Sequence, residues 1–457
     1  MTKTSHTVAT KPPLPAIILL LCWQAVLLGQ TQEHWPQFRG PGARGVASGR
    51  NLPDRWSATE NIAWKTDVPG RGWSSPIVWG QRIFLTTAVN LGELEQPVKG
   101  LYFGGNRPEP PDVQLEYRLI CLDLESGETL WEQTVQEGPP ESPIHVKNSY
   151  ASETPVTDGE RVYAYFGNVG LYCFDLEGRP VWTKRFEPRA TRDGWGTAAS
   201  PVLHGERLYI VNDNDEQSYL VCLDKRTGEQ VWRVERDERS NWSTPLVWQN
   251  DHRTEIVTAG SDKVRSYDLE GNLLWWFTGM SGITIATPYA DNGLLYVSSG
   301  YVLDNQRPLY AIRAGASGDI SLEPGQTSNP FIAWCQATAG PYNPTTLLYE
   351  GRVYVLYDRS MLACFRALTG EAVFGRDRIP QGRHFTASPW AYDGKVFCVN
   401  EDGVTFVFRA GDEFELLHTN KLADDDMCMA TPAIAGDRLL LRTSARVYCI
   451  RRASLDR

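Results

Sequence analysis

The side chains of this chain that are best suited to chemistry are nine cysteines and seven histidines. The sequence contains no Cys-x-x-Cys pair, no paired-histidine metal motif and no Gly-x-Ser-x-Gly nucleophile elbow. Two acidic stretches, Asn212–Asp215 and Asp424–Asp426, offer hard oxygen ligands for calcium, but neither has EF-hand spacing. Solvated acidic turns are the simpler interpretation, so we predict no catalytic residues and no metal ligands.

A second group of side chains is suited to binding. Aromatic rings and arginines on loops often dominate recognition. The binding candidates lie in segments that precede short predicted strands: Arg71, Trp73, Trp195, Arg239, Trp242, Tyr342, Arg383 and His384. They would bind another protein or an extended peptide, or a carbohydrate stacked on the tryptophans. The alternative is structural, with the tryptophans packed inside the fold and nearby Asn and Asp capping turns.

A cassette that recurs about every 45 residues must position these loops. Pro155, Pro201, Pro245 and Pro288 are 46, 44 and 43 residues apart. Each copy has four predicted strands: a Ser/Thr-Pro step opens the first, and a Thr-Gly or Glu-Gly turn precedes a fourth that ends in Trp. Units of this size cannot bury their apolar faces alone, and four strands per repeat are typical of a propeller blade.

The number of cassettes predicts an all-β, eight-bladed β-propeller over residues 61–452. The turn between the first two strands occurs eight times, from Gly80 to Gly436. The last copy has no fourth strand, whereas a spare strand lies at 61–66. We expect this N-terminal strand to complete the last blade, because closure removes exposed sheet edges. A loop insertion in blade one, residues 89–117, is either a functional lid or disordered.

The end of the cassette resembles the tryptophan-docking motif of the PQQ-like β-propellers, the pyrrolo-quinoline quinone repeat family. The best copy is Cys222-x-Asp224-x-x-Thr227-Gly228-x-x-x-Trp232. The resemblance covers roughly residues 60 to 450. It implies that a Trp of each blade packs between blades on a small residue, here a free Cys that behaves as a small hydrophobe. The implied docking residues are Trp131, Trp182, Trp232 and Trp275, with Cys121, Cys173, Cys222 and Cys364.

The resemblance leaves two functions open. The family includes quinoprotein dehydrogenases and the non-catalytic outer-membrane β-barrel assembly lipoprotein, and the opening Trp35-Pro36-Gln37-Phe38-Arg39-Gly40 resembles uncharacterised secreted members. One function is a binding or scaffold module of the cell envelope that needs no cofactor. The alternative is a PQQ- and calcium-dependent oxidoreductase acting on an alcohol or a sugar. The sequence has no adjacent Cys-Cys pair such as the catalytic alcohol dehydrogenases carry, which favours the first.

The N-terminus predicts export. Lys3 and Lys11 precede the apolar stretch 16–28, as in a signal peptide over residues 1–30, and an extended segment 31–60 follows. Leu20-Leu21-Cys22 resembles a lipobox, so cleavage, lipidation and a retained anchor all stay open. The net charge of −10 argues against nucleic acid as a partner. We expect a periplasmic or extracellular monomer that contacts a membrane only if the N-terminal segment is retained.

Overall fold

The computed structural model describes residues 1, 2, 4, 34–49, 51–102, 104–422 and 426–453. The chain divides into a unit over Met1–Gln32 and a unit over Glu33–Arg457, and only the second is described at length. The predicted signal peptide, with Cys22, lies almost wholly outside the described residues. Among the residues that are described, no helix has the length and apolar character needed to cross a membrane.

Eight sheets, each built on four antiparallel strands, confirm the predicted eight-bladed propeller. The first strand of each blade lies innermost and the fourth outermost. The strands of the first four blades are, in blade 1, Ile77–Trp79, Arg82–Asn90, Leu115–Asp123 and Thr129–Gly138; in blade 2, Val156–Thr157, Arg161–Phe166, Gly170–Asp175 and Pro180–Arg185; in blade 3, Val202–His204, Arg207–Asn212, Ser218–Asp224 and Gln230–Arg236; and in blade 4, Leu246–Gln249, Thr254–Ala259, Lys263–Tyr267 and Leu273–Thr278.

The other four blades follow the same order. Their strands are, in blade 5, Tyr289–Asp291, Leu294–Ser298, Leu309–Arg313 and Ile332–Gln336; in blade 6, Leu347–Tyr349, Arg352–Tyr357, Met361–Arg366 and Ala372–Arg378; in blade 7, Trp390–Tyr392, Lys395–Val399, Val404–Arg409 and Leu416–Lys421; and in blade 8, Ala433–Ala435, Arg438–Arg442, Arg446–Arg451 and Ile62–Asp67. Two short 3₁₀ turns lie at Pro41–Ala43 and Arg192–Gly194.

Position in the blade explains the burial of each strand. The third strand of blade 3, Ser218–Asp224, is buried at every position except its last, because both faces of its sheet pack on neighbouring blades. The outermost strand, Gln230–Arg236, alternates between exposed and partly buried positions along most of its length. The core is therefore a set of apolar layers between successive blades rather than one central cluster.

The N-terminal strand closes the ring as the sequence predicts. Ile62–Asp67 pairs antiparallel with Arg446–Arg451, and Trp64 lies opposite Cys449. Arg442 of the last blade also forms hydrogen bonds with the first blade. Its buried guanidinium donates to the backbone oxygens of Ser74 and Thr86 at 2.9 and 2.7 Å, and burial lowers its pKa to about 9.

Indole contacts repeat between blades. Trp182 of blade 2 is half-buried, its Nε1 donates to the Lys225 carbonyl of blade 3 at 3.0 Å, and its ring covers Gly228. A Cβ at Gly228 would lie 2.6 Å from the indole, and its φ of +72° also favours glycine. The same inter-blade hydrogen bond is made by Trp64, Trp131, Trp232 and Trp334. Cysteines lie directly across the sheet from these rings in the pairs Cys121–Trp131, Cys173–Trp182 and Cys222–Trp232, and Cys364 lies opposite Phe374.

Trp275 departs from this pattern. It is fully buried, and its Nε1 donates to the Glu255 carboxylate of its own blade at 2.6 Å. The difference arises from the long loop between the third and fourth strands of blade 5. Its residues Gly318–Asp319 pair with blade 4 as a short parallel fifth strand beside Trp275. The added strand covers the outer edge of the strand that carries Trp275. In blade 5 the inter-blade contact is made by Trp334, whose ring covers Gly370 and whose Nε1 donates to the Ala367 carbonyl of blade 6 at 2.8 Å.

Residues 34–49 and 51–60, called here the N-terminal segment, cross one end of the propeller. Trp35 forms a β-bridge with Val78 of blade 1, and Gly45 and Ala47 bond to Ala391 of blade 7. The buried Arg39 donates to the carbonyls of Thr346 and Pro389 at 3.0 and 3.4 Å. The backbone bridges lie next to the turns between first and second strands, and the Arg39 side chain extends from there to the residues just before the first strands of blades 6 and 7. The segment therefore crosses the channel at that end, and Phe38 lines the cavity described next.

Candidate functional site

The channel holds a cavity of about 480 Å³. The loops that enter the first strands and those that join second and third strands emerge on one face of the ring, called here the lid-side face. The cavity opens toward this face, and Phe38 contributes to its wall from the other end. Its volume falls within the roughly 300–1,000 Å³ that is typical of small-molecule sites.

Four of the eight binding candidates line the cavity: Trp73, Trp195, Trp242 and Tyr342. Trp73 and Trp242 are only 8% and 7% exposed, so they are wall residues rather than surface residues. The rings of Trp195 and Trp242 are 5.6 Å apart, and Tyr342 lies 5.4 Å from Tyr301. The aromatic wall thus extends over the entering loops of four different blades.

The other four candidates lie outside the cavity wall. Arg71 is partly buried and donates to the Glu95 carbonyl at 3.3 Å, and burial lowers its pKa. Arg239, Arg383 and His384 are exposed on entering loops of the lid-side face. The structure therefore separates the predicted site into an inner aromatic cavity and an outer basic surface.

The blade 1 insertion forms a roof over part of the cavity. Strand pairing continues to Asn90 and Leu115, so the loop itself runs over 91–114 and is shorter than predicted at both ends. Leu101, Tyr102, Gly104 and Asn106 of this loop line the cavity. The Asn106 side-chain oxygen accepts the indole N–H of Trp195 at 2.8 Å.

A buried ion pair fastens this roof. The Lys147 ammonium of blade 2 lies 2.6 Å from the Glu401 carboxylate of blade 7, and the two side chains are 12% and 2% exposed. The backbone N–H of Gly100 donates to Glu401 at 2.7 Å, and its carbonyl accepts from Lys147 at 2.6 Å. Thr386 also donates to Glu401 at 2.6 Å. Loop residue Gly100 is thereby held to two blades on different sides of the channel.

The interior of the cavity carries little net charge. Lys147 is neutralised by Glu401. His145 accepts the Lys147 backbone N–H on Nδ1, so its Nε2 carries the proton that bonds the Gly104 carbonyl, and burial lowers the pKa of the ring. The remaining charged lining residues, Asp193 and Arg359, are exposed at the mouth.

Hydroxyl groups form a ring around the channel at the Ser/Thr residues that begin the blades. In six places the backbone N–H of one such residue donates to the hydroxyl of the next blade, at 2.9–3.0 Å. The accepting hydroxyls, which all line the cavity, belong to Thr154, Ser200, Thr244, Thr345, Ser388 and Thr431. The Ser/Thr-Pro step of the cassette, which predicts the start of a strand, is also the sequence signal for this ring.

Two buried acids lie behind the lid-side loops. Burial raises the pKa of Glu153 to about 7, with the Thr197 hydroxyl at 2.5 Å as its side-chain partner. Burial raises the pKa of Asp358 to about 6, although it accepts the backbone N–H groups of Tyr342 and Asn343, both at 3.2 Å. Asp358 thereby fixes the loop that carries Tyr342.

The acidic stretches considered for calcium are engaged in protein contacts. Asp213 forms a buried bidentate pair with Arg236 at 2.8 and 3.0 Å, and Asp215 accepts from Ser240 at 2.8 Å. Asp424 and Asp425 lie outside the described residues, and Asp426 pairs with Arg446. Within the described part of the chain, no group of three His, Cys, Asp or Glu side chains could hold a metal ion.

The described residues do not fit a calcium-bound quinone. Both carboxylate oxygens of Glu401, the buried acid beside the cavity, already accept protein donors. A polycarboxylate cofactor would need cations, but Lys147 is paired and Arg359 lies exposed at the mouth. We derive no chemical step through such a cofactor.

Comparison with known proteins establishes the family. The profile described as outer membrane protein assembly factor BamB matches residues 115–275 and 216–454, which is more than half of the chain. The protein belongs to this PQQ-like propeller family. Curated relatives named outer membrane protein assembly factor BamB come from Kangiella koreensis, 28% identical over 119 residues, and Nitrosomonas eutropha, 22% identical over 221 residues.

These alignments are partial. They cover 26% and 39% of this chain, and 27% and 51% of the two relatives, so the chain spans about half or less of the curated relatives it matches. BamB from Moraxella catarrhalis superimposes with a TM-score of 0.52 at 13% identity, over 82% of this chain and 98% of that one. Quinohemoprotein alcohol dehydrogenase from Comamonas testosteroni gives 0.55 at 11% identity, over 92% and 80%. Likeness at these identities establishes the fold alone.

Proposed function

We propose that this protein is an exported, non-catalytic scaffold of the cell envelope that binds another protein through its lid-side face. The observation that carries the proposal is the outer surface of that face. Arg239, Arg383 and His384 are exposed there on loops of a rigid closed ring. Leu303, 61% exposed, lies on a loop of the same face and lines the cavity mouth. Exposed arginines beside apolar side chains on a rigid frame have the composition of binding hot spots.

Membership of the BamB family supports this role, because the curated relatives are named for outer membrane protein assembly. A partner would meet the exposed side chains of Arg239, Arg383 and Leu303, so we expect an extended segment of an envelope protein that places acidic and apolar side chains against them. The outer strand of blade 4 already pairs with the extended segment Gly318–Asp319 of this chain. Extended segments commonly bind through backbone pairing and side-chain pockets together.

The alternative, a PQQ- and calcium-dependent oxidoreductase, has no specific support from the donor groups of the cavity. Its test is direct. The mature protein, residues 31–457, is mixed with PQQ, calcium and an artificial electron acceptor, and reduction of the acceptor by ethanol or glucose is followed. Turnover would refute the non-catalytic role, and we expect none.

Affinity capture from envelope extract, read by mass spectrometry, tests the binding role. The charge-reversal variant carries Arg239→Glu and Arg383→Glu, and Arg226→Glu on the opposite face is the matched control. We expect the double variant to lose at least tenfold of the captured partner, because a hot-spot residue contributes about 2 kcal/mol or more. The control should capture as much as the wild type. Equal capture by all three proteins would refute the proposal.

A further inference from the structure

We propose that the roofed cavity is a binding site for a neutral saccharide of one or two rings, separate from the partner surface outside it. The proposal rests on three features of the wall: its hydroxyl groups, its aromatic rings and its lack of net charge. It is independent of the protein-binding role, because the cavity residues and the exposed arginines are different side chains.

The hydroxyl ring supplies hydrogen-bond donors. Each of its six oxygens accepts a backbone N–H of the preceding blade. Their O–H protons have no protein acceptor in the part of the chain that the structure describes. Thr287, also in the wall, has a hydroxyl with no protein partner among these residues. A ring of donors facing a cavity suits a ligand whose surface is rich in oxygen acceptors.

Aromatic rings supply the apolar contacts that a sugar ring needs. The indole N–H groups of Trp73, Trp195 and Trp242 all bond to protein oxygens, at 2.9, 2.8 and 2.7 Å. These bonds fix the orientation of the rings, so an apolar sugar face meets a surface that is already ordered. Asn343 also lines the cavity; its amide nitrogen donates to Asp358, and its side-chain oxygen can accept from a sugar hydroxyl group. Apolar walls with a few oriented polar groups are usual in small-ligand sites.

The described residues place no unpaired ionised side chain in the interior of the cavity, which favours a neutral ligand. The cation nearest the roof is neutralised, since Lys147 pairs with Glu401, and His145 is held in its neutral form. Away from the mouth, where Arg359 lies exposed, a carboxylate or phosphate in this interior would lose its water without gaining an unpaired cation. Uronic acids, sugar phosphates and quinone polycarboxylates are therefore disfavoured relative to neutral sugars.

The shape of the cavity favours a compact ligand over a peptide. Phe38 contributes to the cavity wall at one end of the channel, and the insertion covers part of the other end. A polypeptide chain could therefore not pass through the channel. The exposed residues Asp193, Leu303 and Arg359 mark the open part of the mouth. A short saccharide can enter there and reach the hydroxyl ring.

Isothermal titration calorimetry and intrinsic tryptophan fluorescence on the mature protein test the proposal. The probes are glucose, maltose, cellobiose and N,N′-diacetylchitobiose, with glucuronate as the charged counterpart of glucose. At least one neutral probe should bind saturably at millimolar or lower concentration, and glucuronate should bind at least tenfold more weakly than glucose. Failure of every neutral probe to bind, or equal binding of glucuronate and glucose, would overturn the proposal.

Variants locate the binding. Thr287→Val keeps the side-chain shape and removes a hydroxyl without a protein partner, so it should weaken binding about fivefold and leave the melting temperature unchanged. Trp195→Ala should weaken binding at least tenfold. Trp276→Ala, which removes a half-buried indole from the outer strand of blade 4, is the control and should bind normally. Normal binding by both cavity variants would place the saccharide elsewhere and refute the site.

Discussion

Lys147 and Glu401, 254 residues apart in the chain, form a buried ion pair of 2.6 Å at the mouth of the channel. Gly100 of the insertion bonds to both side chains. The pair therefore joins blade 2, blade 7 and the roof of the cavity in one network.

Removal of one partner of this pair should be costly. Glu401→Ala would leave the Lys147 ammonium buried without a counter-ion, and we expect a loss of about 3 kcal/mol in the free energy of unfolding. Hydrogen exchange in residues 91–114 should also become faster. Lys99→Ala is the control, because its pair with Asp402 is 29% and 38% exposed and is expected to contribute less than about 1 kcal/mol. Equal effects of the two variants in denaturant titration would contradict the network.

The inter-blade indoles should carry much of the stability of the ring. Trp232→Ala removes a ring that covers Gly271 and an N–H bond of 2.9 Å to the Leu269 carbonyl. Because the indole is half-buried, we expect a loss of about 3 kcal/mol in the free energy of unfolding. Trp232→Phe keeps an aromatic ring but loses the hydrogen bond and part of the packing, so its loss should lie between about 1 kcal/mol and that of Trp232→Ala. A loss below about 1 kcal/mol for Trp232→Ala would refute the docking role.

Ring closure predicts different behaviour for two truncations. A chain that begins at Asn61 keeps the closing strand Ile62–Asp67, whereas a chain that begins at Pro69 exposes the edge of Arg446–Arg451. Exposed edges promote intermolecular pairing, so the shorter chain should form aggregates in size-exclusion chromatography. The longer one should stay monomeric but melt at a lower temperature than a chain that begins at Thr31. A monomeric shorter chain with the melting temperature of the longer one would show that closure is unimportant.

The buried carboxyl of Glu153 predicts a pH dependence of stability. Its pKa is raised from 4.5 to about 7 in the folded protein, so the folded state keeps a proton that the unfolded state has released. The contribution of this carboxyl to the free energy of unfolding therefore falls as the pH rises from 4.5 to 7, by up to about 3 kcal/mol. Glu153→Gln removes the ionisation and should stabilise the protein more at pH 8 than at pH 5. An identical effect at both values, measured by denaturant titration, would contradict the raised pKa.

The repeat made the fold predictable from the sequence. The spacing of the prolines and the Gly turns specifies eight blades, and the missing fourth strand after Ile450 points to closure by the strand around Trp64. Periodic features of this kind are local, so a single chain displays them. Trp275 is fully buried opposite Ser266, as the motif predicts, but the motif does not predict the extra strand Gly318–Asp319 that lies beside it.

The interior of the site was less predictable because it depends on contacts between distant segments. Lys147 and Glu401 belong to loops of different blades, and only the closed ring brings them together. The contact of Phe38 with the cavity likewise requires the N-terminal segment to cross the channel. The repeat places Trp195 and Arg383 on loops of the same face. It does not show that Trp195 lies in the cavity wall while Arg383 lies outside it.

Site-specific photo-crosslinking in the cell envelope tests the central claim most directly. A photoreactive residue replaces Leu303 on the lid-side face or Leu368 on the opposite face, two leucines with similar exposed fractions of 61% and 66%. We expect a discrete protein adduct from position 303 and none from position 368. The absence of an adduct at 303, or equal adducts at both positions, would contradict a partner-binding lid-side face.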